Sequence, residues 1–230
     1  MARPPRSSRR ARKRGQTPKQ GAVKAPSVMV VRPVTAPAAA GSTKRYEGPQ
    51  ISVMSGNISR TRNTEFIIDV SSSETAGSTV SYSVNFNARN ATELQWLAGL
   101  GQRYQKFRVI SARVRFFSAV ASTVSGDIAI GVVYDSADST TVTIPALMRT
   151  AGSVHTQVWK DSPPVTIDVK RMAYPWYFSG VTAGVASGNQ QTPFVIKVAA
   201  QSGAVGAVLG RLSVEYVVDF TEPIDLSINN

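Results

Sequence analysis

Seven of the first fourteen residues are arginine or lysine: Arg3, Arg6, Arg9, Arg10, Arg12, Lys13 and Arg14. Lys19 and Lys24 continue the series, and no acid precedes Glu47. The guanidinium is a planar fork of donors that matches phosphate geometry, so this composition is suited to holding a polyanion. Residues 1–46 carry twelve basic side chains, whereas residues 47–230 carry fourteen basic and fourteen acidic ones. The whole formal charge of +12 therefore belongs to the first fifth of the chain. Neutralising phosphates with such a segment releases counterions, and the resulting binding is largely independent of base sequence. No aromatic residue is interleaved before Tyr46, so base stacking is not the leader's means of binding. RNA and DNA fit equally on this ground. A solvated tail without a partner, a nuclear localisation signal and an organelle transit peptide also stay open.

A second grouping is VVYDSADSTTVTIP, which sets Asp135 and Asp138 three residues apart just past an expected strand end. Hard oxygen donors at a turn can chelate Ca²⁺, but that ion takes about six to eight oxygens. Two carboxylates are too few, and aspartate is common in turns for local reasons. Asn229 and Asn230 add amide oxygens, yet nothing local links them to the aspartates. Other chemistry is poorly supplied. There is no cysteine and one histidine, His155, which cannot by itself build a His-based zinc site. Neither a phosphate-cradling loop nor a G-x-S-x-G elbow occurs. Glu65, Asp69 and Asp168 lie in or beside expected strands and read as solvated faces. An enzyme is the weak hypothesis.

The elements that must carry these residues are strands. In residues 108–117, Ile110, Ala112, Val114 and Phe116 alternate with Ser111, Arg113 and Arg115. In residues 210–220, Leu212, Val214, Tyr216, Val218 and Phe220 share one face. In residues 126–135, Ile128, Ile130, Val132 and Tyr134 do the same. Further short runs at 64–70, 79–87, 156–161, 164–170, 175–181 and 193–201 are bounded by turn residues. Two segments read as helices. Residues 90–104 offer Asn90 as a cap with Glu93 three residues on, and residues 141–152 offer Pro145 near a first turn. The expectation is an all-β, eight-stranded antiparallel jelly-roll sandwich with two short helices and a disordered basic N-terminal arm. The leader is too charged and too poor in large apolar residues to fold alone. Residues 1–46 form the arm, with 1–25 for nucleic acid and 26–46, containing Pro26, Pro33 and Pro37, as a segment that can order. Residues 47–230 form one shell domain. No apolar run is long enough to span a membrane, and the start lacks the apolar core of a signal peptide.

Taken together, the arginine-rich leader, the proline-containing arm, the neutral β body, YDSAD after a strand and the closing FTEPIDLSINN resemble the coat proteins of small icosahedral plant RNA viruses, most nearly those of sobemoviruses. The resemblance implies a T=3 icosahedral shell of identical chains, located in the virion and assembled in the host cytoplasm. It implies genomic single-stranded RNA as the partner of the leader, with neither a membrane nor a small-molecule substrate. It also implies an arm that orders as a β-annulus in some subunits. By the same resemblance, Ca²⁺ sits between subunits, held by Asp135 and Asp138 of one chain and Asn229 and Asn230 of its neighbour, with Tyr177 supplying a backbone carbonyl. Two other readings compete: a non-viral nucleic-acid-binding structural protein, and a jelly-roll hydrolase or lectin. The first would be expected to show a basic face on its body, which nets to zero, and the second lacks an acid pair.

Overall fold

A computed structural model of the chain describes residues 46, 48–54, 56–138, 142–179 and 188–224. The chain divides into two units, Met1–Thr35 and Ala36–Asn230. The first lies wholly outside the described residues, as do all nine leader residues named above, Asn229 and Asn230.

Ten strands are formed among the described residues: β1 (Gln50–Met54), β2 (Ile58–Ser71), β3 (Thr79–Phe86), β4 (Tyr104–Ser118), β5 (Gly126–Val133), β6 (Val154–Gln157), β7 (Val165–Thr166), β8 (Tyr177–Phe178), β9 (Phe194–Ser202) and β10 (Val208–Pro223). One sheet runs β1-β2-β10-β4-β7, with β8 also pairing β4; the other runs β3-β9-β5-β6. Every pairing is antiparallel. The last strand lies beside β2 and the penultimate strand beside β3, which is the double Greek-key wrapping of a jelly roll. β7 pairs with Arg113 and Val114, whereas β8 pairs with Lys106 and Phe107. They are two pieces of one broken edge strand. Counted so, eight strands make the jelly roll and β1 is an addition at the opposite edge. The β1–β2 turn places Gly56 and Asn57 at φ of 78° and 58°, a left-handed backbone that these two residue types tolerate.

The inner faces of the two sheets enclose one core. Phe86 of β3 stacks on Phe194 of β9 at 4.6 Å, and Tyr216 of β10 meets Phe86 edge-on at 5.8 Å, so an aromatic group ties the two layers together. Inward residues of β10, Leu212, Val214, Val218 and Phe220, are fully buried as their alternation requires.

Among the described residues three α-helices form, α1 (Gln95–Gly101), α2 (Ile144–Met148) and α3 (Gly188–Gln191), where two helices were expected. The expected capping box on α1 is not what forms. Asn90 Oδ1 does accept the Glu93 N–H at 3.4 Å, but in a preceding turn; the helix starts at Gln95 with no capping side chain on Leu94. Its N-terminal amides are met instead by Glu65 of β2. At α2 the expectation holds in outline, since Pro145 occupies the first turn and Thr143 accepts from the Ala146 N–H. No helix among the described residues is long and apolar enough to cross a membrane.

Candidate metal centre and charged surfaces

Past the end of β5 the chain turns through Asp135 to Asp138, closed by the Asp138 N–H to the Asp135 carbonyl at 3.2 Å. Asp135 Oδ1 accepts from the Ala137 N–H at 2.9 Å and from Asn189 Nδ2 at 2.9 Å. Asn189 in turn accepts through Oδ1 from the Ser136 N–H at 2.7 Å and from its hydroxyl at 2.5 Å. One amide on α3 thus holds the turn from both sides. The hydrogen bond from Asn189, then that from Ala137, keeps the Asp135 carboxyl below the ordinary range, against the opposing charge of Asp138. On the other flank Lys197 of β9 donates to the Asp138 carbonyl at 2.9 Å. That ammonium belongs to a residue only 5% exposed.

This arrangement fits a hard cation in part. Asp135 is an exposed anion whose contacts just named both fall on Oδ1, and Asp138 is close enough to oppose its charge. Among the described residues, however, no group of three His, Cys, Asp and Glu gathers to hold a metal. A site here is completed only by oxygens from elsewhere. Tyr177 is placed differently from its expected role. It is 1% exposed, its ring packs on Phe107 at 5.9 Å, its hydroxyl accepts the Tyr174 N–H at 3.2 Å, and its backbone is paired with Phe107 in the β8–β4 ladder. Asn189 and Lys197 were not foreseen. Lys197 did leave a signal, being the one charge in the apolar run of 194–200, where a charge needs a partner. Asn189 left none, since its partner is 54 residues away in sequence.

Among the described residues two carboxylates are buried, and the first of them, Glu65, corrects its reading as part of a solvated face. Glu65 is 4% exposed and accepts from the Leu97 N–H at 2.9 Å, the Trp96 N–H at 3.2 Å and the Tyr216 hydroxyl. Burial raises its pKa above the ordinary range, although these donors pull the other way. Burial, then the Glu65 charge, raises the Tyr216 hydroxyl, which stays a donor. Asp219 is fully buried and is gripped by Arg60 at 2.6 and 2.9 Å and by Arg108 at 2.9 and 3.1 Å. Burial alone would raise its pKa, but the two guanidiniums hold it below the ordinary range. Its contribution to stability is therefore present above the ordinary carboxylate value and is lost as pH falls through the lowered one. Asp69 and Asp168 are exposed, as expected. His155 is exposed on β6, with Nε2 3.7 Å from Asp127 Oδ1.

With this architecture in view, the model of the viral coat protein S domain matches residues 31–226. The chain belongs to the viral coat protein family. The capsid protein of Tobacco necrosis virus (strain A) is 25% identical over 217 residues, covering 85% of this chain and 77% of that protein. Among solved structures, Tobacco necrosis virus superposes with a TM-score of 0.72 at 24% identity, over 85% of this chain and 96% of that one. Melon necrotic spot virus superposes with a TM-score of 0.72 at 22% identity, over 86% of this chain and 60% of that one. The resemblance to plant virus coat proteins is borne out at the level of the family, and the jelly roll with it. The coat protein is a structural part of the virus particle and not an enzyme.

Proposed function

We propose that this coat protein closes, in many identical copies, into an icosahedral shell of T=3 type and packages single-stranded RNA with its leader in the host cytoplasm. The observation that carries the reading is the separation of charge: +12 in residues 1–46, ahead of a body of coat-protein fold whose formal charge is zero. A leader of this length reaches on the order of 150 Å when extended, so it can follow RNA through an interior while the body stays in the shell. Arg3, Arg6, Arg9, Arg10, Arg12, Lys13, Arg14, Lys19 and Lys24 are the phosphate-binding groups. Residues 26–46 serve as the ordering arm. The test is electron microscopy of particles from the full chain and from a chain lacking residues 2–25, with their ultraviolet absorbance ratio. The truncated chain is expected to fold and to lose most encapsidated RNA; unchanged RNA content would sink the reading.

Ca²⁺ between subunits is part of the same proposal. Asp135 and Asp138 supply one half of the ligand set, and Asn229 and Asn230 of a neighbouring copy the other. Tyr177 is the weakest member, because its backbone is already paired with β4. When bound, the ion turns mutually repelling carboxylates into a bridge. Shells of the Asp135→Asn, Asp138→Asn double variant are expected to show no further swelling on adding chelator. Chelator-induced expansion equal to that of the native shell, by light scattering, removes calcium from these residues.

A further inference from the structure

The inner face of β2 is polar and carries an unmet acceptor. Ser59, Thr61, Asn63 and Glu65 alternate inward along the strand and are buried. Asn63 is 3% exposed. Its amide nitrogen donates to Glu65 Oε1 at 3.5 Å, whereas its Oδ1 has no partner. Among the described residues only the Thr61 hydroxyl oxygen shares that condition. Leaving a buried acceptor without a donor is costly, so such an atom asks for a group that the fold itself does not supply.

Asn63 lies in the wall of a cleft. A cavity of about 440 Å³ opens between β2 and the start of α1, at the point where residue 46 enters the body. Its lining includes two carboxylates, the buried Glu65 and the half-buried Glu93. Tyr46, Phe66 and Trp96 add large aromatic side chains, all three exposed. No described lysine, arginine or histidine lines it, so the charge it offers a guest is wholly negative. The amides at the start of α1 do not change that sign, because Trp96 and Leu97 already donate to Glu65. Carboxylates attract a cation by charge, and aromatic faces attract one through the ring quadrupole.

We propose that this cleft binds an alkylammonium ion, which gives an N–H to Asn63 Oδ1, sets its charge against Glu93 and Glu65, and lays its methylenes on the aromatic side chains. An ammonium has three donors and no acceptor, so it suits a wall of acceptors. A bare divalent metal suits the cleft less well. It wants about six oxygens, and among the described residues no third His, Cys, Asp or Glu joins the two carboxylates. Burial disfavours the ionised form of Glu65, and a cation in the cleft restores it, so binding tightens as pH rises. Facing that carboxyl are Tyr216 from β10, Asn63 from β2 and the Trp96 and Leu97 amides from α1; Glu93 and Tyr46 are the other titratable groups of the lining. A free diamine and a lysine side chain of a second copy both carry the group that the cleft recognises.

The test is isothermal titration calorimetry of RNA-free, unassembled full-length protein with 1,4-diaminobutane, and with 1,4-butanediol as its neutral counterpart. The diamine is expected to bind and the diol not, and the diamine's affinity to fall from about pH 7.5 to about pH 5 as Glu65 takes up its proton. Trp96→Leu should weaken the diamine by about 3–30-fold through loss of a cation–π face, and Glu93→Gln by a comparable factor through loss of charge. Glu74→Gln removes an exposed carboxylate that does not line the cleft, and should leave the affinity unchanged. Equal affinity for diol and diamine, or native affinity in both cleft variants with circular dichroism melts showing them folded, would overturn the proposal. So would the absence of saturable diamine binding. Shells assembled without RNA separate the two sources of the ammonium. Shells that take the diamine as the unassembled chain does assign the cleft to a free amine. Shells that refuse it, with one lysine newly protected from acetylation, assign it to a neighbouring copy.

Discussion

The two sheets of this jelly roll solve the problem of their outer faces in opposite ways. In the four-stranded sheet, β5 and β9 are covered on both sides. Ile128, Ile130 and Val132 face the core, while Ala129 and Ala199 lie under Leu147 of α2, with Val142 and Ile144 packed around them. Gly131 keeps the helix close, since a Cβ there would stand 3.0 Å from Leu147 Cδ2. In the six-stranded sheet, β2, β10 and β4 bury one face and put arginines and carboxylates on the other. A strand covered on both faces reads as a continuous apolar run, and a strand covered on one reads as an alternation. The first sheet's outer face thus serves stability by apolar burial, whereas the second's carries ion-paired charge.

That contrast breaks most directly by placing the same charge on each outer face. Ala199→Lys drives an ammonium into the dry contact with α2, where neither water nor a partner can reach it. Ser111→Lys adds one more cation to an exposed position of β4, opposite Val217. Urea unfolding is expected to show a loss of more than about 4 kcal/mol for the first and a change within about 0.5 kcal/mol for the second. Comparable midpoints for the two variants would mean that the sheets are not different in kind.

Glu65 gives a sharper measure, because it lies on the inner face of the six-stranded sheet yet is ionisable. It holds the start of α1 by accepting the Trp96 and Leu97 amides. Glu65→Gln turns one accepting oxygen into a donor facing donors, at about 1–3 kcal/mol. The pH dependence has a definite sign. Burial raises this carboxyl in the folded state, so the fold binds its proton more tightly than the unfolded chain does. Native protein should therefore gain stability as pH falls from neutral toward the ordinary glutamate value, and lose it as pH rises back through the raised one. Gln cannot titrate. The gap between native and variant should widen on going from about pH 7 to about pH 5; a constant gap in denaturant melts would refute the raised titration.

These two carboxylates also mark where the sequence stops being legible. β10 and the second half of β4 are plain in their alternation, and the sandwich follows from them. The first half of β2 and all of β1 are not, because inward Thr61, Asn63 and Glu65 are polar and buried, so no apolar period appears. Glu65 and Asp219 look like any outward acid until the register brings Tyr216 and α1 to one, and Arg60 and Arg108 to the other. β5 hides the opposite case: Ala129 and Gly131 carry no apolar signal of burial, and they are small because α2 needs the space. The DSAD turn is readable as a turn, whereas its clamp, Asn189, depends on a fold-distant contact. The charges of the body are hidden for a related reason: they sum to zero along the chain, and only the pairing of the strands sets Arg60 and Arg108 against Asp219, and Arg62 and Arg113 against Glu215.

The smallest expected effect is the most telling about what the outer arginines are for. Arg211 pairs with Asp69 at 3.3 Å with both side chains well exposed, at 68% and 46%. An exposed ion pair of this kind contributes about 0–1 kcal/mol, because water and salt screen it and two long side chains lose freedom to make it. Arg211→Ala should therefore shift the denaturant midpoint barely, and less still at high salt. A large stability loss would instead make Arg211 a structural brace, and would give the outer face of the six-stranded sheet the same purpose as its apolar counterpart.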